Sequence, residues 1–173
     1  MNPLLHTDND ASRLFLRLVL GVVMFAHGAQ KLFGWFGGHG FNGTMQYFTQ
    51  TMHIPMVFAF LAIMAESLGA LALILGLLTR IAALGIAINM IVAIGIVHVH
   101  NGFFMNWSGQ QTGEGFEFHL LALGMAAVLV FKGGGLWSFD SAWFRYLQKR
   151  QAAQEHNLPP AGTAPAGAGA HRP

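Results

Sequence analysis

Seven side chains sit where hydrocarbon tolerates few of their kind: His27, Lys31, Glu66, Asn89, His98, Glu117 and His119 lie within or at the ends of strongly apolar stretches. An ionisable group inside such a stretch is costly, so each argues for a function or a partner. His27 and Lys31 are spaced i, i+4 and share a helical stripe with Leu20 and Met24, so both face one neighbour. Glu66 falls about 16 Å along its stretch at 1.5 Å per residue, near mid-membrane depth. Left alone there it would stay protonated, so it is expected either as a neutral carboxyl or with a partner among His27, Lys31 and Asn89. Asn89 lies at similar depth, His98 at the mouth of its stretch, and Glu117 and His119 just inside the same face. Glu66 and Glu117 are the groups able to exchange a proton, and are read as catalytic. His27, Lys31, Asn89, His98 and His119 are read as contacts to a bound cofactor. Each has a plainer reading. Lys31 can snorkel to the interface, His27 can be a packing histidine, and Glu117 can be a first-turn carboxylate favoured by the helix dipole.

The pairs His98-x-His100 and Glu117-x-His119 suggest a metal by residue type. Their i, i+2 spacing points the two side chains about 200° apart on a helix, so no metal site is expected. The chain has no cysteine, which excludes disulfides and dithiol chemistry by its own side chains. Electrons for any redox role must come from a cofactor or a partner.

The elements that position these residues follow from composition. Charged residues make up 9% of the chain, against about 25% in a soluble domain. Hydrophobic types reach 54% and the mean hydropathy is +0.49, so the apolar residues have to be concentrated in blocks. Blocks at 14–36, 55–78, 81–99 and 116–131 approach the ~20 residues a helix needs to cross a bilayer, the last being the shortest. Period-two alternation is absent, which excludes a barrel. The expected fold is all-α, an integral membrane four-helix bundle.

Arg13, Arg17, Arg80, Lys132, Arg145, Lys149 and Arg150 flank one side of these blocks, while 37–54 and 100–115 contain no Lys or Arg. That bias places both termini inside, N-in and C-in. The expected organisation is a cytoplasmic segment at 1–12, a transmembrane domain at 13–146 and a disordered cytoplasmic tail at 147–173. The first block is read as a retained helix, since its removal as a signal peptide would invert the charges. Scattered basic residues and a net charge of +2 exclude nucleic acid as a partner. The polar residues gather in the outer half, leaving the inner half nearly free of them. Small residues at Ala65, Gly69, Ala72 and Gly76, and at Gly124 and Ala127, are expected to let helices approach closely.

His27-Gly28 with Lys31-Leu32, Glu66-Ser67-Leu68-Gly69-Ala70 with Gly76-Leu77-Leu78-Thr79-Arg80, and Gly135-Leu136-Trp137-Ser138-Phe139-Asp140 occur in that order. Over about 13–140 the chain thereby resembles the DoxX family. The resemblance implies a four-helix bundle in the bacterial cytoplasmic membrane, among proteins linked to thiosulfate:quinone oxidoreductase, thiol redox complexes and quinol oxidase subunits. It marks His27, Lys31, Glu66 and Arg80 as motif positions without assigning their roles. The expected function is a redox-linked membrane subunit that binds a quinone in the outer half of the bundle. His27 or Lys31 would contact a ring carbonyl, Glu66 or Glu117 would carry the proton, and a protein partner would supply electrons or substrate. The alternative is a non-enzymatic carrier or scaffold for a partner protein.

Overall fold

The computed structural model describes residues 10–156, and among these every regular element is helical. Helix α1 spans Ala11–Phe33. Its N-cap is Asp10, whose carboxylate accepts the Ser12 N–H at 2.8 Å and is held below its ordinary pKa chiefly by that bond. Gly34, in the left-handed region at φ 74°, ends it. A short helix, α2, follows at Gly40–Gln46 and continues as a π-helical turn at Tyr47–Thr51. Helix α3 spans Met56–Leu75 behind Pro55, and α4 spans Thr79–Asn101. The sharp reversal between them uses Gly76 at φ 69° and Leu78 at φ 47°.

Helices α1, α3 and α4 are long and apolar enough to cross a membrane. Helix α5, Glu117–Lys132, has 16 residues and is about 24 Å long, short of the ~30 Å hydrocarbon core. Helix α6, Phe139–His156, is more polar. It carries the chain in helical form beyond 147, where a disordered tail was expected: Leu147–Ala153 has no helix breaker. The rest of that tail, and residues 1–9, lie outside the described residues.

The helices have two distinct ends. A terminal end gathers Asp10, the 76–78 turn and the 133–138 segment, joined by the Leu136 N–H to the Asp10 carbonyl at 3.2 Å and the Asp140 N–H to the Gly76 carbonyl at 3.0 Å. A loop end carries 34–55 and 102–116.

Between the two ends, α1 packs against α3 and α5, and α4 against α3 and α5. Leu20, Met24, Leu73, Ile86, Met90 and Leu129 form the buried core. Phe15, Val22, Ile81, Ile91, Leu121 and Phe131 face outward and exposed, an apolar surface of the kind that lipid covers.

Close approach is set by glycines of α1 that the small-residue pattern did not single out. A Cβ on Gly28 would collide with the Glu66 carbonyl of α3, and one on Gly21 would lie 2.8 Å from Ile74 Cγ1. Of the ridge expected on α3, Ala65 and Gly69 face α4, with Ala65 Cβ 3.6 Å from a Cβ built at Gly85, while Gly76 faces Arg17 and Ser138. Gly124 has open space around it, so the small-residue pair on α5 packs nothing among the described residues.

Candidate functional site

Two irregularities in the helices shape the loop-end half. In α3, residues Ala65–Gly69 form a π-helical turn, a widened turn that re-aims side chains and recurs at functional sites. The Ser67 hydroxyl donates to the Ile63 carbonyl at 2.6 Å within it. The turn buries Glu66, 5% exposed, toward α1 and α4. Because Gly28 admits the α3 backbone at that level, Lys31, one turn further along α1, reaches the carboxylate.

Lys31 Nζ donates to Glu66 Oε2. Asn89 Nδ2 donates to Glu66 Oε1 at 2.6 Å, and more loosely to the Ala62 carbonyl at 3.5 Å. Both oxygens of one carboxylate are thus bound, each from a different helix. Of the partners open to Glu66, the structure selects Lys31 and Asn89 and leaves His27 out. Lys31 is paired and not snorkelling, its side chain 26% exposed. His27 is exposed, within electrostatic range of Lys31 and Glu66. Its ring lies 5.7 Å from that of Phe118.

The second irregularity is the π-helical turn Ile94–His98 in α4. It brings His98 onto His119 of α5, with ring centroids 4.0 Å apart. His98 Nδ1 lies 2.8 Å from the Glu114 carbonyl oxygen, so that nitrogen carries the hydrogen and donates. His119 is buried, and its Nδ1 has no hydrogen-bond partner. It lies within electrostatic range of His27, His98 and Lys31. The imidazoles that meet are therefore a cross-helix pair, and neither i, i+2 pair of the sequence. Among the described residues no three His, Asp or Glu side chains are grouped as a metal site.

Glu117 does not face inward. Its Oε1 accepts the Met105 N–H at 2.8 Å and the Trp107 Nε1–H at 3.0 Å, while Glu114 Oε2 accepts the Asn106 N–H at 2.7 Å. Both carboxylates tie down the 102–116 loop. As the first residue of α5, Glu117 is level with unpaired loop N–H groups and turns to them, which places His119, two residues on, toward the core. The structure thus places Glu117 with the 102–116 loop and apart from the Lys31–Glu66–Asn89 cluster. Glu117→Ala removes one oxygen shared by two N–H donors, the Trp107 bond being exposed, and is expected to loosen the loop by about 1.5 kcal/mol, or about tenfold faster amide exchange over 102–116. Hydrogen-exchange mass spectrometry reads this, with exchange around Lys31 and Glu66 unchanged.

The terminal end also departs from expectation, because it is rich in buried polar groups. Arg13, Arg17, Thr79, Ser138, Asp140 and Ser141 are all buried. Arg17 Nη1 donates to the Gly134 carbonyl at 3.1 Å and Nη2 to the Trp137 carbonyl at 3.0 Å. Arg13 Nη1 donates to the Lys132 carbonyl at 2.6 Å. Asp140 accepts the N–H groups of Leu78 and Thr79, each at 2.8 Å, capping α4. Arg80 Nη1 donates to the Val130 and Phe131 carbonyls at the end of α5.

The 133–135 glycines are thus more than a helix stop. They let the chain press against Arg13, Thr79 and Ser138 and present carbonyls to arginine. The sequence signal was the i, i+4 pair Arg13 and Arg17, the second a full turn and a half inside an apolar helix. Read as positive flanks, both are structural pins.

The DoxX family model matches residues 12–99. A Bacillus subtilis (strain 168) protein, "Putative oxidoreductase CatD", is 31% identical over 136 residues, covering 79% of this chain and 90% of that protein. No solved structure matches.

Proposed function

The chain belongs to the DoxX family, and from that premise we propose that it is a redox-linked subunit of the bacterial cytoplasmic membrane with a quinone site in its loop-end half. One observation carries the reading. A buried carboxylate, Glu66, is held by a half-buried Lys31 and Asn89 among apolar helices at a π-helical turn, beside an exposed His27 and a buried His119 nitrogen that lacks a partner. A site that binds a planar dicarbonyl head needs few donors in apolar walls. His27 and the unused N–H groups of Lys31 supply them.

The loop end also has an open apolar groove of roughly 490 Å³ between α2 and α3, lined by Phe41, Met45, Met56, Val57 and Phe60. A prenyl chain suits it. Bound quinone would supply the two-electron chemistry. The chain's own part is to orient the head and to carry a proton at the Glu66 carboxylate, which Lys31 and Asn89 position. With no cysteine in the chain to act as a dithiol, electrons come from a bound substrate or a protein partner. The name of the Bacillus relative supports the redox reading.

In the same proposal α5 is the fourth span of the bundle. The terminal end is cytoplasmic, since Arg13, Arg17, Arg80, Lys132 and the basic residues of α6 lie there. The second reading, a carrier or scaffold, draws support from the mutual satisfaction of Lys31, Glu66 and Asn89, which also suits a purely structural pin.

Mass spectrometry of small molecules retained by the detergent-solubilised chain separates the two. Parent protein extracted mildly from quinone-replete membranes is expected to retain quinone. His27→Ala, at an exposed position, is expected to retain about tenfold less, the value of one lost hydrogen bond. Absence of quinone from both preparations sinks the quinone reading, and equal retention removes His27 from the site.

A further inference from the structure

The first turn of helix α6 is pinned to the bundle, with Asp140 and Ser141 buried and Asp140 bonded to the Leu78 and Thr79 N–H groups. Beyond that turn it presents a face left exposed among the described residues. Phe139, Trp143 and Tyr146 are 60%, 56% and 50% exposed, and Trp137 just before them is 79% exposed. Positions 139, 143, 146 and 150 follow i, i+4, i+7, i+11, one stripe along the helix. Arg150 completes it with its guanidinium 5.8 Å from the Tyr146 ring centre. Arg145 and Lys149, spaced i, i+4 and exposed, form a basic flank, and no acidic residue occurs between Ala142 and Gln154.

Such a helix is too polar to cross a bilayer, yet it starts at the level where three apolar helices end. Aromatic rings with one polar edge prefer the headgroup boundary, and cations beside them prefer phosphate-rich, negatively charged surface. An aliphatic stripe would have pointed to a partner helix. An aromatic stripe with three cations, and no acidic residue from 142 to 154, complements an anionic lipid surface.

We propose that α6 is an interfacial helix that lies along the bilayer and gathers anionic phospholipid headgroups through Arg145, Lys149 and Arg150, with Trp137, Phe139, Trp143 and Tyr146 seated at the headgroup boundary. This does not depend on the quinone site at the opposite end.

The test uses the full chain with Trp35→Phe and Trp107→Phe, so that the remaining emission comes from Trp137 and Trp143. It is reconstituted in phosphatidylcholine vesicles carrying a small, equal fraction of brominated phosphatidylglycerol or brominated phosphatidylcholine. The brominated anionic lipid is expected to quench as if enriched roughly fivefold or more around α6. The preference should collapse in about 1 M salt, where the screening length is ~3 Å, and in Arg145→Gln/Lys149→Gln/Arg150→Gln. Equal quenching by the two lipids overturns the headgroup selectivity, as does a preference that survives salt. Quenching by neither overturns the interfacial placement and means that protein or water covers the stripe. The salt titration uses the chain with all three cations intact, so the outcome stands whether or not the triple variant folds.

Discussion

Lys31→Met is expected to destabilise the protein by about 3–5 kcal/mol, because it leaves the Glu66 carboxylate buried without its counter-charge. Glu66 is 5% exposed, and Asn89 alone can donate to only part of the carboxylate. The variant chain has two responses: Glu66 takes up a proton and stays neutral, or α1 and α3 part to admit water at Gly28. Either lowers the denaturant midpoint in detergent. A second change, Glu66→Gln, removes the stranded charge while keeping an oxygen for Asn89, and Lys31→Met/Glu66→Gln is expected to recover more than half of the loss. Non-additivity of that size marks a direct interaction. If Lys31→Met shifts stability by less than about 1 kcal/mol, Lys31 is an exposed interfacial residue and the pair holds nothing together. The cycle also separates stability from function, since the double variant regains its fold while losing both the donor and the proton-holding carboxylate of the proposed site.

Asp140→Ala is expected to cost about 3 kcal/mol at the opposite end, from the loss of two charge-assisted bonds to the Leu78 and Thr79 N–H groups. The loss falls on two elements together, as α4 loses its cap and α6 its anchor. Asp140→Asn keeps one acceptor and is expected to lose about half as much. Chemical unfolding in detergent gives the magnitude, and limited proteolysis gives the location, with new cleavage expected in 136–145. A variant that unfolds at the parent midpoint would show Asp140 to be dispensable. Quinone retention is expected to be unaltered in the surviving folded fraction, since Asp140 is at the terminal end and His27 at the other.

Hydropathy and charge located the apolar helices to within a few residues. The blocks 14–36, 55–78 and 81–99 correspond to Ala11–Phe33, Met56–Leu75 and Thr79–Asn101. Their boundaries moved where backbone geometry intervened, at Gly34 and at the Gly76–Leu78 reversal, which no hydropathy window registers. Helix α2 stayed hidden because Gly40, Asn42, Gly43 and Thr44 are poor helix formers. The site was legible as a set of residues and illegible as pairs. Lys31, Glu66 and Asn89 stood out through the cost of polar groups in hydrocarbon, and their depths suggested contact. The i, i+2 pairs gave no hint that His98 would meet His119. That contact depends on a π-helical turn, an extra residue in one turn that rotates everything after it by about 100°.

By itself the sequence determined an all-helical, lipid-adapted chain, because charged residues too few to face water leave no other solvent, and it determined which side chains were too costly to be incidental. Only the tertiary structure decided what each of them touches. Glu66 is a node because Gly28 lets α1 approach it, Glu117 serves a loop because its turn of α5 opens toward the Met105 and Trp107 N–H groups, and Arg17 is a pin because the chain at Gly134 and Trp137 brings two carbonyls to it. Such contacts depend on helix rotation and backbone approach of an ångström or two, which residue type and spacing along the chain do not encode.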